Sequence, residues 1–257
     1  MGFDGTSVIV SGGAGGLGAA AVRDLVRAGA RVVIADLNDD KGRELEAELG
    51  GSARYVRTNV LDDDSVQGAI GAAADLGTLR YAVLAHGGLG GTPERLVRRD
   101  GSPASYEAFK TTIDIYLGGT YNMLRLAAAK IATAEPDENG ERGAIVTTAS
   151  IAAYEGQIGQ ASYAAAKGGV VSLTLAAARD LSAVGIRVCC IAPGTIKTPM
   201  MASVGEEALK KYGEAVPFPK RLGEPSEYAA LARHLLSNPY MNGETIRIDG
   251  AIRLAPK

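Results

Sequence analysis

Short apolar, β-branched runs alternate with helix-forming stretches along the whole of this 257-residue chain, and no other feature restricts the fold as strongly. The runs are TSVIVSG (6–12), ARVVIAD (30–36), ARYVRTNV (53–60), RYAVLAHGG (80–88), GAIVTTAS (143–150), IRVCCIAP (186–193) and GETIRID (243–249). Between them lie helical patterns: LGAAAVRDLVRAG (17–29) with Gly29 as a natural C-cap, DDKGRELEAELG (39–50), and SVQGAIGAAADLG (65–77) after an Asp-rich start. A long helix is expected over about 105–132, another over about 160–183, and a late one around LARHLLSNP (231–239). Apolar strands separated by helices imply a parallel sheet covered on both faces. Right-handed crossovers then wind the chain into a doubly wound Rossmann-type α/β fold with a seven-stranded parallel sheet. No linker, repeat or change of composition divides the chain, so 1–257 reads as one domain.

Two segments break the pattern. Residues 87–105, GGLGGTPERLVRRDGSPAS, form a Gly- and Pro-punctuated loop, and residues 199–224 carry only a short helical pattern. Both follow strands, which places them at the carboxyl edge of the sheet, where ligands bind in open α/β folds. The second segment is expected to act as a lid. Its Met200, Met201, Tyr212 and Phe218 suit an apolar acyl chain or ring, or equally the packing of a short helix. Arg95, Arg98 and Arg99 in the first suit phosphates, or equally a solvated loop.

The first strand runs into SGGAGGLG, where Gly12, Gly16 and Gly18 give the spacing G-x-x-x-G-x-G and Gly15 and Leu17 complete the loop. Gly12 allows a tight turn, Gly16 a close backbone approach to a pyrophosphate, and Gly18 close packing of helix on strand. The phosphates then lie over a helix N-terminus, whose free N–H groups and dipole favour negative charge. A glycine loop alone is a weak signal, but this one stands between the first strand and the first helix, as a dinucleotide site requires. Asp36 closes the second strand, eighteen residues after Gly18. A carboxylate there accepts ribose hydroxyls and repels a 2′-phosphate, so NAD is expected rather than NADP. The competing role for Asp36 is to cap the next helix, a task that Asn38 or Asp39 could perform as well.

In SYAAAKGG (162–169), Tyr163 and Lys167 stand four apart in helix-forming sequence, so they share one helical face. Taken alone, the pair fits an interface aromatic beside a solvated cation as well as it fits an acid/base pair. Ser150 closes the fifth strand thirteen residues before Tyr163. Together with the glycine loop, these three residues resemble the short-chain dehydrogenase/reductase family, over essentially the whole chain and including IAPGTIKTP (191–199). The strings TASIAAYEGQIGQASYAAAKGG, GIRVCCIAPG, VPFPKRLGEPSEYA and NGETIRIDGAIRLAP resemble more closely one branch of that family, whose members act on 3-hydroxyacyl-CoA.

The resemblance implies hydride transfer between a secondary alcohol and nicotinamide. Tyr163 is implied as the acid/base, with Lys167 favouring its phenolate over the ~10 of a free phenol and binding the nicotinamide ribose. Ser150 would hold the substrate oxygen. Asn59 and Val60 beside the adenine, Ala85 and Gly87 after the fourth strand, and Pro193, Ile196 and Thr198 after the sixth are implied as further cofactor contacts. The chain departs from the family at Asn59, where the third strand usually ends in an Asp, and in two further places. IYLGGT puts Tyr116 where the family carries an Asn thought to hold a water behind the lysine, and LAHG (84–87) replaces N-N-A-G and introduces His86. His86 is expected at the nicotinamide ribose or the substrate mouth, or equally as a partly exposed loop residue. His234 reads as structural, and no group of residues has metal-ligand spacing.

The expected function is therefore NAD-dependent interconversion of a 3-hydroxyacyl-CoA and a 3-oxoacyl-CoA. The same chemistry on a steroid, cyclic alcohol or other ketone is the alternative, and an NAD-binding scaffold with lost catalysis, suggested by Tyr116, is a third reading. Hydrophobic residues at 46%, charged residues at 22% and a net charge of −2 give no reason to expect a nucleic-acid partner. No apolar stretch approaches the ~20 residues of a membrane span, and no signal-peptide pattern opens the chain. MGFDGT formally fits a myristoylation site, but the strand that begins at Thr6 makes Gly2 a short lead-in. Cys189 and Cys190 are adjacent and cannot form an ordinary disulfide, so they are expected as reduced core residues in a cytoplasmic protein. The resemblance further implies a homotetramer.

Overall fold

The computed structural model describes residues 2–87, 93–202 and 205–256. Seven strands, β1 (Thr6–Ser11), β2 (Arg31–Asp36), β3 (Ala53–Arg57), β4 (Thr78–Leu84), β5 (Gly143–Thr148), β6 (Ile186–Pro193) and β7 (Thr245–Ile248), form one sheet in the order β3-β2-β1-β4-β5-β6-β7. Every pair is parallel. The chain winds outward from β1 to β3, then crosses back to lay β4 on the other side of β1. That reversal leaves a crevice beyond the carboxyl ends of β1 and β4, the position at which doubly wound folds bind ligands.

The strands are buried on both faces because helices cover both. Val8 and Val10 of β1 join one core, with Val22 and Leu25 of α1 (Gly16–Arg27) and Tyr228, Ala232 and Leu235 of α9 (Pro225–Ser237). Ile9 points to the opposite face and joins Val66 and Ile70 of α3 (Asp63–Leu76), Met123 and Ala127 of α5 (Gly119–Ile131), and Ala177 of α6 (Ala161–Leu181). This alternation is the period of a β-strand carried into two separate cores. Cys189 and Cys190 of β6 are both buried and unbridged, and they enter different apolar clusters.

The boundaries follow local chemistry. Asn38 caps α2 (Asp39–Leu49), its Oδ1 accepting from the Lys41 N–H at 3.0 Å. Asp36 is thereby left to other work. Gly29 follows α1 with φ +97°, the left-handed region that glycine enters without strain. The long helix expected over 105–132 exists, but in three parts: α4 (Tyr106–Ile113), a π-helical turn over Asp114–Gly118, and α5. Gly119, just beyond the turn, is a point of close approach. A Cβ there would stand 2.6 Å from Val60 Cγ2 and 3.1 Å from the His86 ring nitrogen Nε2. β4 stops at Leu84 rather than running to Gly88, and residues 85–87 leave the ladder as it reaches the crevice. The irregular segment 199–224 holds α7 (Pro199–Ala202) and α8 (Glu206–Ala215), while its residues 203–204 and residues 88–92 of the first irregular segment lie outside the described residues. No helix among the described residues is long and apolar enough to cross a membrane.

One buried ion pair ties the far end of the sheet together. Arg187 at the start of β6 and Glu141 before β5 meet at 2.9 Å, each side chain only 9% exposed. The same guanidinium donates to the carbonyls of Leu235, Leu236 and Met241, so it also clamps the C-terminal end of α9. Removing the acid strands a buried cation. Glu141→Ala is expected to cost about 3 kcal/mol of unfolding free energy, read by urea denaturation, with α9 the first element to lose hydrogen-exchange protection.

Candidate active site

The carboxyl ends of β1, β2, β4, β5 and β6 open on one cleft of about 420 Å³. Its floor at one end is the glycine loop. Gly12 holds φ +66°, and a Cβ there would lie 2.5 Å from the His86 Cα. At Gly18 a Cβ would stand 2.1 Å from the Gly12 carbonyl oxygen, so this residue sets how closely α1 packs on the loop. Gly16 faces the opposite lip of the cleft, where a Cβ would come within 2.9 Å of Thr198 Cβ and Pro199 Cδ. The N-terminus of α1 has no side-chain cap and no acidic residue in its first turn. Its unsatisfied N–H groups therefore face the cleft as an anion cradle, which fits the pyrophosphate of a dinucleotide.

Asp36 stands at the other end of that loop. Its Oδ2 accepts from the Ala14 N–H at 3.0 Å and its Oδ1 from the Asn38 N–H at 2.9 Å. Two backbone amides thus fix the carboxylate on the cleft wall, while Asn38 does the capping that could have claimed it. Lys41 also lines this end. No spacing in the chain signals that, because its position depends on the turn of α2 rather than on adjacency to Asp36.

At the opposite end the cleft is lined by Thr148, Ser150, Tyr163 and Lys167. Ser150 follows β5 and turns its Oγ to accept from the Ala152 N–H at 3.1 Å, capping a short 3₁₀ turn over Ile151–Ala153. Lys167 is buried, and its Nζ donates to the Thr148 carbonyl at 2.8 Å. Thr148 is held in turn by its hydroxyl, 2.7 Å from the buried Tyr228 hydroxyl of α9. The Lys167 ammonium lies 4.6 Å from the ring centroid of Tyr116 and 5.8 Å from that of Tyr163. The two tyrosines meet edge to face, at 5.1 Å and 82°.

Ala85, Gly87, Pro193, Ile196 and Thr198 line the same cleft, as do Gly12, Gly15, Gly16, Leu17, Gly18 and Asp36. Asn59 and Val60 do not. Asn59 is exposed beyond β3 with its Oδ1 accepting from the Leu61 N–H at 3.1 Å, and Val60 packs on the second core and over Gly119. Thr148 and Tyr228 escaped the sequence reading because neither has a spacing that signals a task; only the fold brings α9 under the end of β5.

Burial pushes the Tyr163 phenol up to about 12, with the neighbouring Tyr116 adding to the rise and the Ser150 hydroxyl opposing it. Burial also lowers Lys167 to about 8. In the protein without cofactor the phenol is therefore neutral at pH 7 and the lysine mostly charged.

His86 lines the cleft and is buried rather than exposed, with Nδ1 2.7 Å from Ser11 Oγ and Nε2 3.4 Å from Thr120 Oγ1. A further ring hydrogen bond goes to the Ile115 carbonyl of the π turn. Burial and the nearby Lys167 depress His86 to about 3. An imidazole held neutral in the folded state contributes stability that is complete above the unfolded value of about 6.5 and is lost as pH falls toward 3. The loss should approach about 1.4 kcal/mol per pH unit within that window. His86→Gln is expected to flatten that part of the stability profile, measured by urea denaturation from pH 7 to pH 4.

Comparison with known proteins agrees with this geometry. The family described as "Enoyl-(Acyl carrier protein) reductase" matches residues 12–252. The 3-hydroxyacyl-CoA dehydrogenase type-2 of Drosophila melanogaster is 45% identical over 96% of this chain and 97% of its own length. The crystal structure of 3-hydroxyacyl-CoA dehydrogenase type-2 from Mycobacterium avium superposes with a TM-score of 0.97 at 64% identity, covering 99% of this chain and 98% of that one. A 7α-hydroxysteroid dehydrogenase complexed with NADH and 7-oxo glycochenodeoxycholic acid superposes with a TM-score of 0.86 at 27% identity, covering 99% and 97%. With a glycine loop under α1, an acid at the end of β2 and a Ser, Tyr and Lys gathered around β5 and α6, the chain belongs to the short-chain dehydrogenase/reductase family of nicotinamide-dependent oxidoreductases.

Proposed function

We propose that this protein is an NAD-dependent dehydrogenase interconverting a 3-hydroxyacyl-CoA and its 3-oxoacyl-CoA. One observation carries the reading: Ser150, Tyr163 and Lys167 line the same cleft as the uncapped N-terminus of α1 and the fixed carboxylate of Asp36. The α1 N-terminus and Asp36 would hold the pyrophosphate and adenosine ribose of a dinucleotide, and Ser150, Tyr163 and Lys167 would face its nicotinamide half. The identities to the Drosophila and Mycobacterium avium 3-hydroxyacyl-CoA dehydrogenases supply the substrate class.

Nicotinamide, when bound, supplies the hydride acceptor or donor and, in its oxidised form, a positive charge. The chain's own residues do the rest. Ser150 Oγ donates a hydrogen bond to the substrate oxygen and sets its distance from Tyr163. Tyr163 takes the hydroxyl proton during oxidation and returns it during reduction. Lys167 donates to the nicotinamide ribose and, with the positive ring, draws the phenol down from its resting value near 12. Asp36 accepts ribose hydroxyls and opposes a 2′-phosphate, which favours NAD over NADP. The segment 199–224 serves as the lid: Met201 lines the cleft, Tyr212 and Phe218 are exposed, and the Met200 side chain lies outside the described residues. Of the loop arginines, Arg98 is bound to Glu94, which leaves Arg95 and Arg99 for CoA phosphates. A homotetramer in the cytoplasm completes the proposal, and the two unbridged, buried thiols suit that setting. A ketone-bearing ring such as a steroid is the second reading, favoured by the resemblance to the 7α-hydroxysteroid dehydrogenase.

Acetoacetyl-CoA should oxidise NADH, followed at the reduced nicotinamide absorbance, and should do so faster than NADPH is oxidised. Tyr163→Phe should lower kcat about a thousandfold with NADH binding retained. Turnover of a steroid ketone in preference to acetoacetyl-CoA would establish the second reading. NADH binding without turnover on any ketone would leave a scaffold and overturn both.

A further inference from the structure

Tyr116 stands where a buried cation needs a partner. Lys167 is buried and carries three N–H donors, of which one is spent on the Thr148 carbonyl. The face of Tyr116 takes the ammonium at 4.6 Å, within the range at which an aromatic quadrupole holds a cation. The remaining direction opens on the cleft, which Lys167 itself lines.

The ring is not there by accident of packing. It rides on the π-helical turn Asp114–Gly118, and an isolated π turn within an α-helix commonly marks a functional residue. The turn is tied at the back by His86, through the Ile115 carbonyl, and by Thr120 Oγ1, which donates to the Tyr116 carbonyl at 2.7 Å. On its other side the ring lies against Gly87, where a Cβ would stand 2.9 Å from Tyr116 Cε1. A Cβ at 87 would require the ring to shift. Its edge contact with Tyr163 fixes the angle between the two rings.

We propose that Tyr116 is a positioning residue for Lys167: its ring face, braced by His86 and Gly87, holds the ammonium against the Thr148 carbonyl and aims its free N–H at the cofactor cleft. This rests on the reading of Lys167 as the residue that binds the nicotinamide ribose. It needs the aromatic face and not the phenol oxygen. The charged form of Lys167 is also favoured by the ring. The other titratable groups around the ammonium are Tyr163 on its own helix, His86 after β4 and Cys190 on β6, all neutral at pH 7. No carboxylate replaces the ring in that role among them.

The test compares Tyr116→Phe, Tyr116→Leu, and replacement of Tyr116 by phenylalanines bearing one, two and three ring fluorines. Fluorine drains the negative face while keeping the ring's shape, so a residue that only fills space would not respond. NADH affinity is measured by fluorescence titration, and kcat for ketone reduction is followed from pH 6 to pH 10. Tyr116→Phe should stay within about twofold of the parent in both. Tyr116→Leu should weaken NADH binding and lower kcat by about tenfold each, and move the alkaline limb of the rate profile to lower pH, because the lysine loses its proton more readily. Affinity should fall stepwise with fluorine content. If the leucine variant fails to fold, the fluorine series decides alone. A flat fluorine series, or a leucine variant indistinguishable from Tyr116→Phe, overturns the proposal. If the parent protein reduces no ketone, the functional reading fails instead, while the fluorine dependence of NADH binding still tests the ring.

Discussion

A lysine ammonium buried at the carboxyl edge of a parallel sheet must be compensated, and most of the site is arranged around that requirement. Lys167 donates to the Thr148 carbonyl, the last residue of β5. Thr148 is held through its hydroxyl by Tyr228 of α9. The C-terminal end of α9 is fixed by Arg187, whose charge is met by Glu141 just before β5. The chain of contacts therefore starts at the last residue of β5 and finishes just before its first. A displacement of α9 would be felt at Lys167 without any change in the residues that line the cleft.

The cofactor end of the cleft obeys a different constraint, that of backbone proximity. Gly12, Gly16 and Gly18 each face an atom that a Cβ would strike, but not the same one: the backbone of His86, the Thr198–Pro199 lip and the Gly12 carbonyl. The three glycines are thus separate answers to separate contacts, although the spacing reads as one motif. Asp36 shows how a helix cap can release a functional group. Because Asn38 caps α2, both oxygens of Asp36 can be aimed by the amides of Ala14 and Asn38.

Much of this was legible in the chain. The alternation of runs gave seven parallel strands, and β6 matched its expected residues end to end. The glycine loop, Asp36, Ser150, Tyr163 and Lys167 all reached one cleft. What was hidden depends on contacts and local turns that no spacing of residues announces. Lys41 enters the cleft by helical phase, and Tyr228 meets Thr148 across eighty residues. Asn59 leaves the lining because its carbonyl turns to the Leu61 amide, a local turn that competes with a ligand contact. The division of the long helix by a π turn is invisible to a 3.6-residue period, because the flanking segments keep that period on either side.

His86 and Tyr116 looked like two unrelated departures from the family pattern, thirty residues apart. In the fold they are one unit, since the imidazole grips the turn that carries the tyrosine and Gly87 makes room for its ring. The electrostatic state of that unit bears on when catalysis can begin. Without cofactor the phenol is raised to about 12 and the lysine lowered to about 8, so burial alone works against the base that alcohol oxidation needs. Under the proposed mechanism the missing favourable charge arrives with the oxidised nicotinamide, and the proton acceptor is created by binding. A site built in this way keeps Tyr163 protonated, and hence inert as a base, until the hydride acceptor is beside it.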